Sequence, residues 1–208
     1  MSRIQAQITA AVVVGVMSVG LVLEGADLKF GWIRFVSIAA FVLVLLNTIW
    51  ERWVWRVPVL QRFERVPPDI RGTWRGKVRT EWIDPATKQT APPKPAYLVV
   101  RQTFREVSVT LLTDENRSST TLAQLTRVNG TSQLDYMYLS RPDSSVAHRS
   151  PMHHGSTSLV VSGAPGRRLK GRYWTDRNTR GELDFNDRNP NMADDFDGAA
   201  SLFNSATP

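Results

Sequence analysis

The chain has 208 residues, no cysteine and a formal net charge of +7. The missing cysteines exclude a disulfide framework, a thiolate metal site and a cysteine nucleophile. The basic balance points to anionic partners: lipid headgroups beside a membrane, and a polyanionic ligand or nucleic acid for the remainder.

Two long apolar runs come first, Ile4 to Leu23 and Phe30 to Trp50, separated by Glu24 to Lys29. The first holds no charged residue and the second only Arg34. Crossing a hydrocarbon core of roughly 30 Å takes about 20 apolar residues, and both runs meet that length. The short link predicts an antiparallel transmembrane hairpin. A signal peptide would have a shorter core and no second span behind it, and a buried soluble hairpin would show a polar face. Arg3, Arg52, Arg56, Arg62 and Arg65 flank the termini, against Lys29 in the loop. That excess places both ends in the cytosol. Trp32, Trp50, Trp53 and Trp55 fit interfacial belts, and Arg34 can snorkel outward.

Glu51 to Arg65 reads as the helix end plus a short interfacial segment, closed by Val66-Pro67-Pro68-Asp69. From Ile70 the period becomes two. Strands are expected over Gly72–Ile83, Ala96–Phe104, Glu106–Thr113, Arg117–Val128, Thr131–Ser140, His154–Ser162, Leu169–Asp176 and Thr179–Phe185. Asn129-Gly130 is a hairpin turn signal. Eight short strands on hairpin-length links predict an antiparallel up-and-down β-barrel, with a two-sheet sandwich as the other architecture. The expected division is a transmembrane hairpin over 1–57, a linker over 58–69, a barrel over 70–186 and a tail over 187–208. The tail has the pattern for one helical turn around Phe196 to Phe203, or for a disordered end.

Catalytic constellations are missing: no G-x-S-x-G elbow, Walker loop or dinucleotide fingerprint occurs. His148, His153 and His154 share one polar loop with no cysteine and no nearby carboxylate. No enzyme, metal or cofactor is expected. Polar residues extend the inward-facing series instead: Gln102, Ser119, Thr121, Tyr136, Tyr138, Tyr173, Thr175 and Arg177. They either satisfy one another in a polar core or bind a ligand. Tyrosines for stacking, an arginine for phosphate and hydroxyls or amides for base edges suit a nucleotide. The same set would suit the headgroup of a fatty acid or another anion.

Several strand motifs carry a family resemblance. They are Ile70-Arg71-Gly72-Thr73-Trp74-Arg75-Gly76, Gln102-x-Phe104, Leu134-x-Tyr136-x-Tyr138, His154-Gly155 and Gly171-x-Tyr173-x-Thr175-x-Arg177-x-Thr179-x-Gly181. On these, and on the order of hairpin and barrel, nearly the whole chain resembles the bacterial anti-phage membrane effectors of cyclic-oligonucleotide (CBASS) systems with two transmembrane helices and a minimal β-barrel. Ser140-Arg141-Pro142 departs from the family's usual Asn before the proline. The resemblance implies a cyclic dinucleotide as activating ligand, made by a partner nucleotidyltransferase, and no nucleic-acid polymer. It implies a barrel on the cytosolic side of the inner membrane, self-association on binding, and membrane disruption that kills the infected cell. With strand parity it gives the candidate ligand-binding residues Gln102, Ser119, Tyr136, Tyr138, His154, Tyr173, Thr175 and Arg177. The competing reading is a membrane-tethered, lipocalin-like carrier of a small apolar ligand.

Overall fold

The computed structural model describes residues 3–24, 32–83, 88–128, 130–145 and 151–204. Residues 25–29 of the expected loop, Asn129 and His148 lie outside them, as do the side chains of Arg3, Trp32 and Arg34. The chain divides into two units, Met1–Trp55 and Arg56–Pro208.

In the first unit the two apolar runs form helices α1 (Arg3–Glu24) and α2 (Trp32–Arg52). Phe35–Arg56 is long and apolar enough to cross a membrane. Gly20 lies against the Phe35 ring, where a Cβ would be only 3.0 Å from the nearest ring atom. Small residues of this kind let two helices approach closely. Ser18 and Thr48 turn their hydroxyls back to the carbonyls of Val14 and Val44, each at 2.8 Å. Val14, Val22, Phe41 and Val44 are exposed.

In the second unit eight strands follow one another around a closed antiparallel barrel. They are β1 (Gly72–Thr80), β2 (Lys94–Gln102), β3 (Val107–Leu112), β4 (Asn116–Val128), β5 (Thr131–Pro142), β6 (His153–Ser162), β7 (Arg168–Thr175) and β8 (Arg180–Asn189). Closure is direct, since β1 pairs with β2 on one side and β8 on the other. That decides for the barrel over the sandwich. β8 runs to Asn189, past the expected end of the strand. Alternate residues supply the core: Trp74, Leu98, Val100, Val109, Leu134, Leu159, Leu169, Leu183 and Phe185 are buried together with Ile70.

Odd strands run from the linker pole to the opposite pole, and even strands return. The linker pole is sealed. Ile70 and Trp74 are fully buried there, and the Trp74 indole N–H donates to the Ile70 carbonyl at 2.8 Å. Gln102 belongs to this seal: its Oε1 accepts from the Ile70 N–H at 3.0 Å and its Nε2 donates to the Pro68 carbonyl at 3.1 Å. Parity had placed Gln102 inside correctly, but at the end away from the open mouth.

The tail makes more than one turn. Helix α3 (Phe196–Asn204) opens on Asp195, whose Oδ1 accepts from the Gly198 N–H at 2.6 Å. Ala199 and Phe203 pack on the outer side of β2 and β3, against Tyr97, Val99 and Leu112. The Phe203 ring stacks on Tyr97 with centroids 5.8 Å apart.

Candidate functional site

At the pole opposite the linker the barrel is open. Its mouth leads into a cavity of about 360 Å³, within the range of small-molecule sites. β5, β6 and β7 supply the wall with Tyr138, Ser140, His153, Thr157, Tyr173 and Thr175. Lys94, Glu115, Asn116, Arg177 and Thr179 stand around the rim. The register sets Tyr138 opposite Gly155 and Thr157 opposite Tyr173, so these residues share the inner face at neighbouring levels.

The β7–β8 turn presents Arg177. Thr175 Oγ1 lies 2.7 Å from Thr179 Oγ1, and it accepts from the Arg177 N–H at 3.3 Å. Asn178 adopts φ 57°, a left-handed conformation that asparagine tolerates. Asp176 Oδ2 accepts from the His154 N–H at 3.0 Å, tying the turn to the start of β6.

Below the mouth, Tyr136 and Tyr138 have ring centroids 6.0 Å apart. Burial pushes the phenols of Tyr136, Tyr138 and Tyr173 up from their ordinary value, so they stay neutral donors. The Tyr136 hydroxyl and Thr157 Oγ1 are buried on paired positions of β5 and β6, and neither has a hydrogen-bond partner among the described residues. The Thr157 hydroxyl is near enough to the Tyr136 phenol to offset part of the effect of burial on it, but the two fall short of hydrogen-bond geometry. Buried hydroxyls are normally satisfied, so Thr157, which lines the cavity, has capacity left for a molecule there.

Four expected residues come together at the cavity, Tyr138, Tyr173, Thr175 and Arg177, and Tyr136 is buried in the core beneath it. The other three do not. Gln102 belongs to the sealed pole. Ser119 faces outward, because a bulge between Thr120 and Leu122 reverses the parity of β4. Ser118, buried, and Thr120 pair with the inward Ser140 and Tyr138, while Thr121 is exposed. His154 also faces out, exposed, with only its backbone engaged in the turn. Among the described residues, His153 is the histidine that lines the cavity.

The rim adds residues that sequence reasoning missed. Asn116 Oδ1 accepts from the buried Ser140 hydroxyl at 3.1 Å, which leaves its amide nitrogen for a ligand. Lys94 Nζ and Glu115 Oε2 form an ion pair at 2.9 Å. Strand direction was the available signal, since even strands begin at the mouth.

Gly155 makes room for the Tyr138 ring. A Cβ there would overlap the ring's hydroxyl end and come within 2.9 Å of the Trp174 carbonyl oxygen. Gly155→Ala is therefore expected to push Tyr138 into the cavity. Overpacking of about 1–3 kcal/mol lowers Tm by about 5 °C, and ligand affinity should fall by about tenfold. Thermal melts and titration of the same sample check both; wild-type affinity would show that the Tyr138 position is immaterial to binding.

The family described as Cap15, cyclic dinucleotide receptor domain, matches residues 66–187. A curated protein named CD-NTase-associated protein 15, from Staphylococcus schleiferi, is 26% identical over 155 residues, covering 74% of this chain and 80% of that protein. The chain belongs to the Cap15 family of CBASS effectors, whose barrel is a cyclic dinucleotide receptor domain.

Proposed function

We propose that a cyclic dinucleotide binds in the barrel mouth, with Tyr138 and Tyr173 against its bases and Arg177 on a phosphate. The observation that carries this is the buried hydroxyl pair of Tyr136 and Thr157, of which Thr157 lines the cavity, beneath a rim that bears Lys94, Asn116 and Arg177. A carrier of a purely apolar ligand has no use for charge at the mouth, and here Lys94, Glu115 and Arg177 stand beside Trp82, Ala91 and Pro92, a mixture that suits a ligand with both flat rings and phosphates. The role asks for no catalytic group. The N-terminal helices anchor the chain in the inner membrane with both termini in the cytosol, and ligand binding favours self-association of the helices and disruption of the bilayer. A ligand drives such a change only by binding the assembled state more tightly.

The test is calorimetric titration of the full chain in lipid nanodiscs with a panel of cyclic dinucleotides, alongside Arg177→Ala. A charge-assisted hydrogen bond is worth about 1.5–3 kcal/mol, so the variant should bind about 10- to 100-fold more weakly. Wild-type affinity in a folded Arg177→Ala protein would remove that residue from the site. Dye release from liposomes bearing the protein, on adding the bound ligand, tests the membrane step.

A further inference from the structure

Residues 57–65 reverse the usual polarity of a surface segment. Gln61 is buried: its Nε2 donates to the Pro67 carbonyl at 3.2 Å and its Oε1 accepts from the Asp69 N–H at 2.7 Å. Val57, Val59 and Phe63 are 46%, 61% and 59% exposed. Arg62 and Arg65 are exposed beside them, with Glu64 as the segment's one carboxylate. The arrangement is pinned. A 3-10 turn over Leu60–Arg62 is closed by bonds from Leu60 to Val57 at 2.8 Å and from Phe63 to Leu60 at 3.0 Å. Arg127 of β4 donates to the Glu64 carbonyl at 2.8 Å, holding the segment on the sealed pole.

Leaving three large apolar side chains in water while burying an amide works against the hydrophobic effect, at about 25 cal/mol per Å² of apolar surface. A partner offering both an apolar layer and negative charge removes that penalty. We propose that this face of the sealed pole seats on an anionic lipid surface. Val57, Val59 and Phe63 enter the boundary between headgroups and acyl chains, and Arg62 and Arg65 meet lipid phosphates. The segment follows directly on Phe35–Arg56, the stretch apolar enough to cross a membrane. A second copy fits less well, because a two-fold contact would bring Arg62 and Arg65 of both copies onto one patch with only Glu64 of each to offset them. Seating this pole on lipid turns the mouth, at the other pole, toward the solution that carries the ligand. The inference rests on the membrane anchoring proposed above.

Because the chain has no cysteine, single-cysteine variants take one nitroxide label each. Val59→Cys and Phe63→Cys are labelled in the full chain and reconstituted in nanodiscs of phosphatidylcholine with or without phosphatidylglycerol. Relaxation by oxygen and by a water-soluble nickel chelate is then compared. The expected result is a label at 63 reached by oxygen and several-fold protected from nickel in the anionic discs. That protection should drop in neutral discs and in the Arg62→Glu, Arg65→Glu background. Nickel access at the level of a fully hydrated label overturns the inference, and so does dipolar broadening between copies, which would mean a barrel-to-barrel contact. A control label at Val44, 66% exposed on α2, separates the two readings. Lipid-buried 44 with hydrated 63 sinks only the docking; hydrated 44 sinks the anchor as well.

Discussion

Trp74→Ala is expected to take away a large share of the barrel's stability. Trp74 is fully buried at the sealed pole and its indole N–H donates to the Ile70 carbonyl at 2.8 Å. Its ring lies under the Arg188 guanidinium, 5.5 Å from the ring centroid. Arg188 in turn donates to the carbonyls of Arg71 at 2.6 Å and Asp69 at 2.9 Å, and pairs with the Asp69 carboxylate at 3.2 Å. Truncating a buried tryptophan costs about 3–5 kcal/mol, and the orphaned Ile70 carbonyl adds about 1–3 kcal/mol. A domain with about 5–15 kcal/mol in total loses a large share of its margin. Tm should fall by about 10–20 °C in a circular dichroism melt. Trp74→Phe keeps a ring under Arg188 and forfeits the hydrogen bond, so its loss should be much smaller. An alanine variant melting within a few degrees of wild type would mean that the pole is held by the strand ladder alone.

The same pole shows what a period-two reading can and cannot reach. Alternation located Leu98, Val100, Leu134, Tyr136, Tyr138, Leu159, Val161 and Tyr173 on the inner face, where the structure has them. It cannot say at which pole a residue ends up, and Gln102 was misplaced for that reason. Counting strand directions settles the matter: β2 ends beside Gly72, the first residue of β1, because Gly72 pairs with Val100. The bulge in β4 falls in Ser118-Ser119-Thr120-Thr121. This stretch has no large apolar residue to fix which side is buried, so one inserted residue reverses the face silently. For β6 the inward series Thr157, Leu159 and Val161 counts back to Gly155 and His153. The family motif drew attention to His154 instead. The tail helix had a signal too. Tyr97-Leu98-Val99-Val100 is apolar on both faces, which marks a strand covered on both sides, and α3 is its outer cover.

Tyr136→Phe and Thr157→Val should move stability and affinity in opposite directions. Both hydroxyls are buried without a hydrogen-bond partner among the described residues. Leaving a buried hydroxyl unsatisfied costs about 1–3 kcal/mol, and each substitution keeps the shape while removing the polar atom. The ligand-free variants should therefore melt no lower than wild type and up to about 5 °C higher. If the hydroxyls complete their bonding on a ligand, each variant should bind that ligand about tenfold more weakly. An ordinary core role predicts the reverse coupling, with Tm and affinity falling together. Unchanged affinity in a stable variant would take both hydroxyls out of the site and leave the rim to do the binding. Alkaline melts supply an independent readout. Burial holds the Tyr136 phenol above its ordinary value, so the native state keeps its proton longer than the unfolded chain does. Stability should then fall as pH rises past about 10, where the free phenol ionises. Tyr136→Phe should flatten that slope, leaving only the parts due to Tyr138 and Tyr173, whose phenols are raised as well. A slope identical to wild type would mean that Tyr136 ionises as easily folded as unfolded, and that its hydroxyl already has a partner.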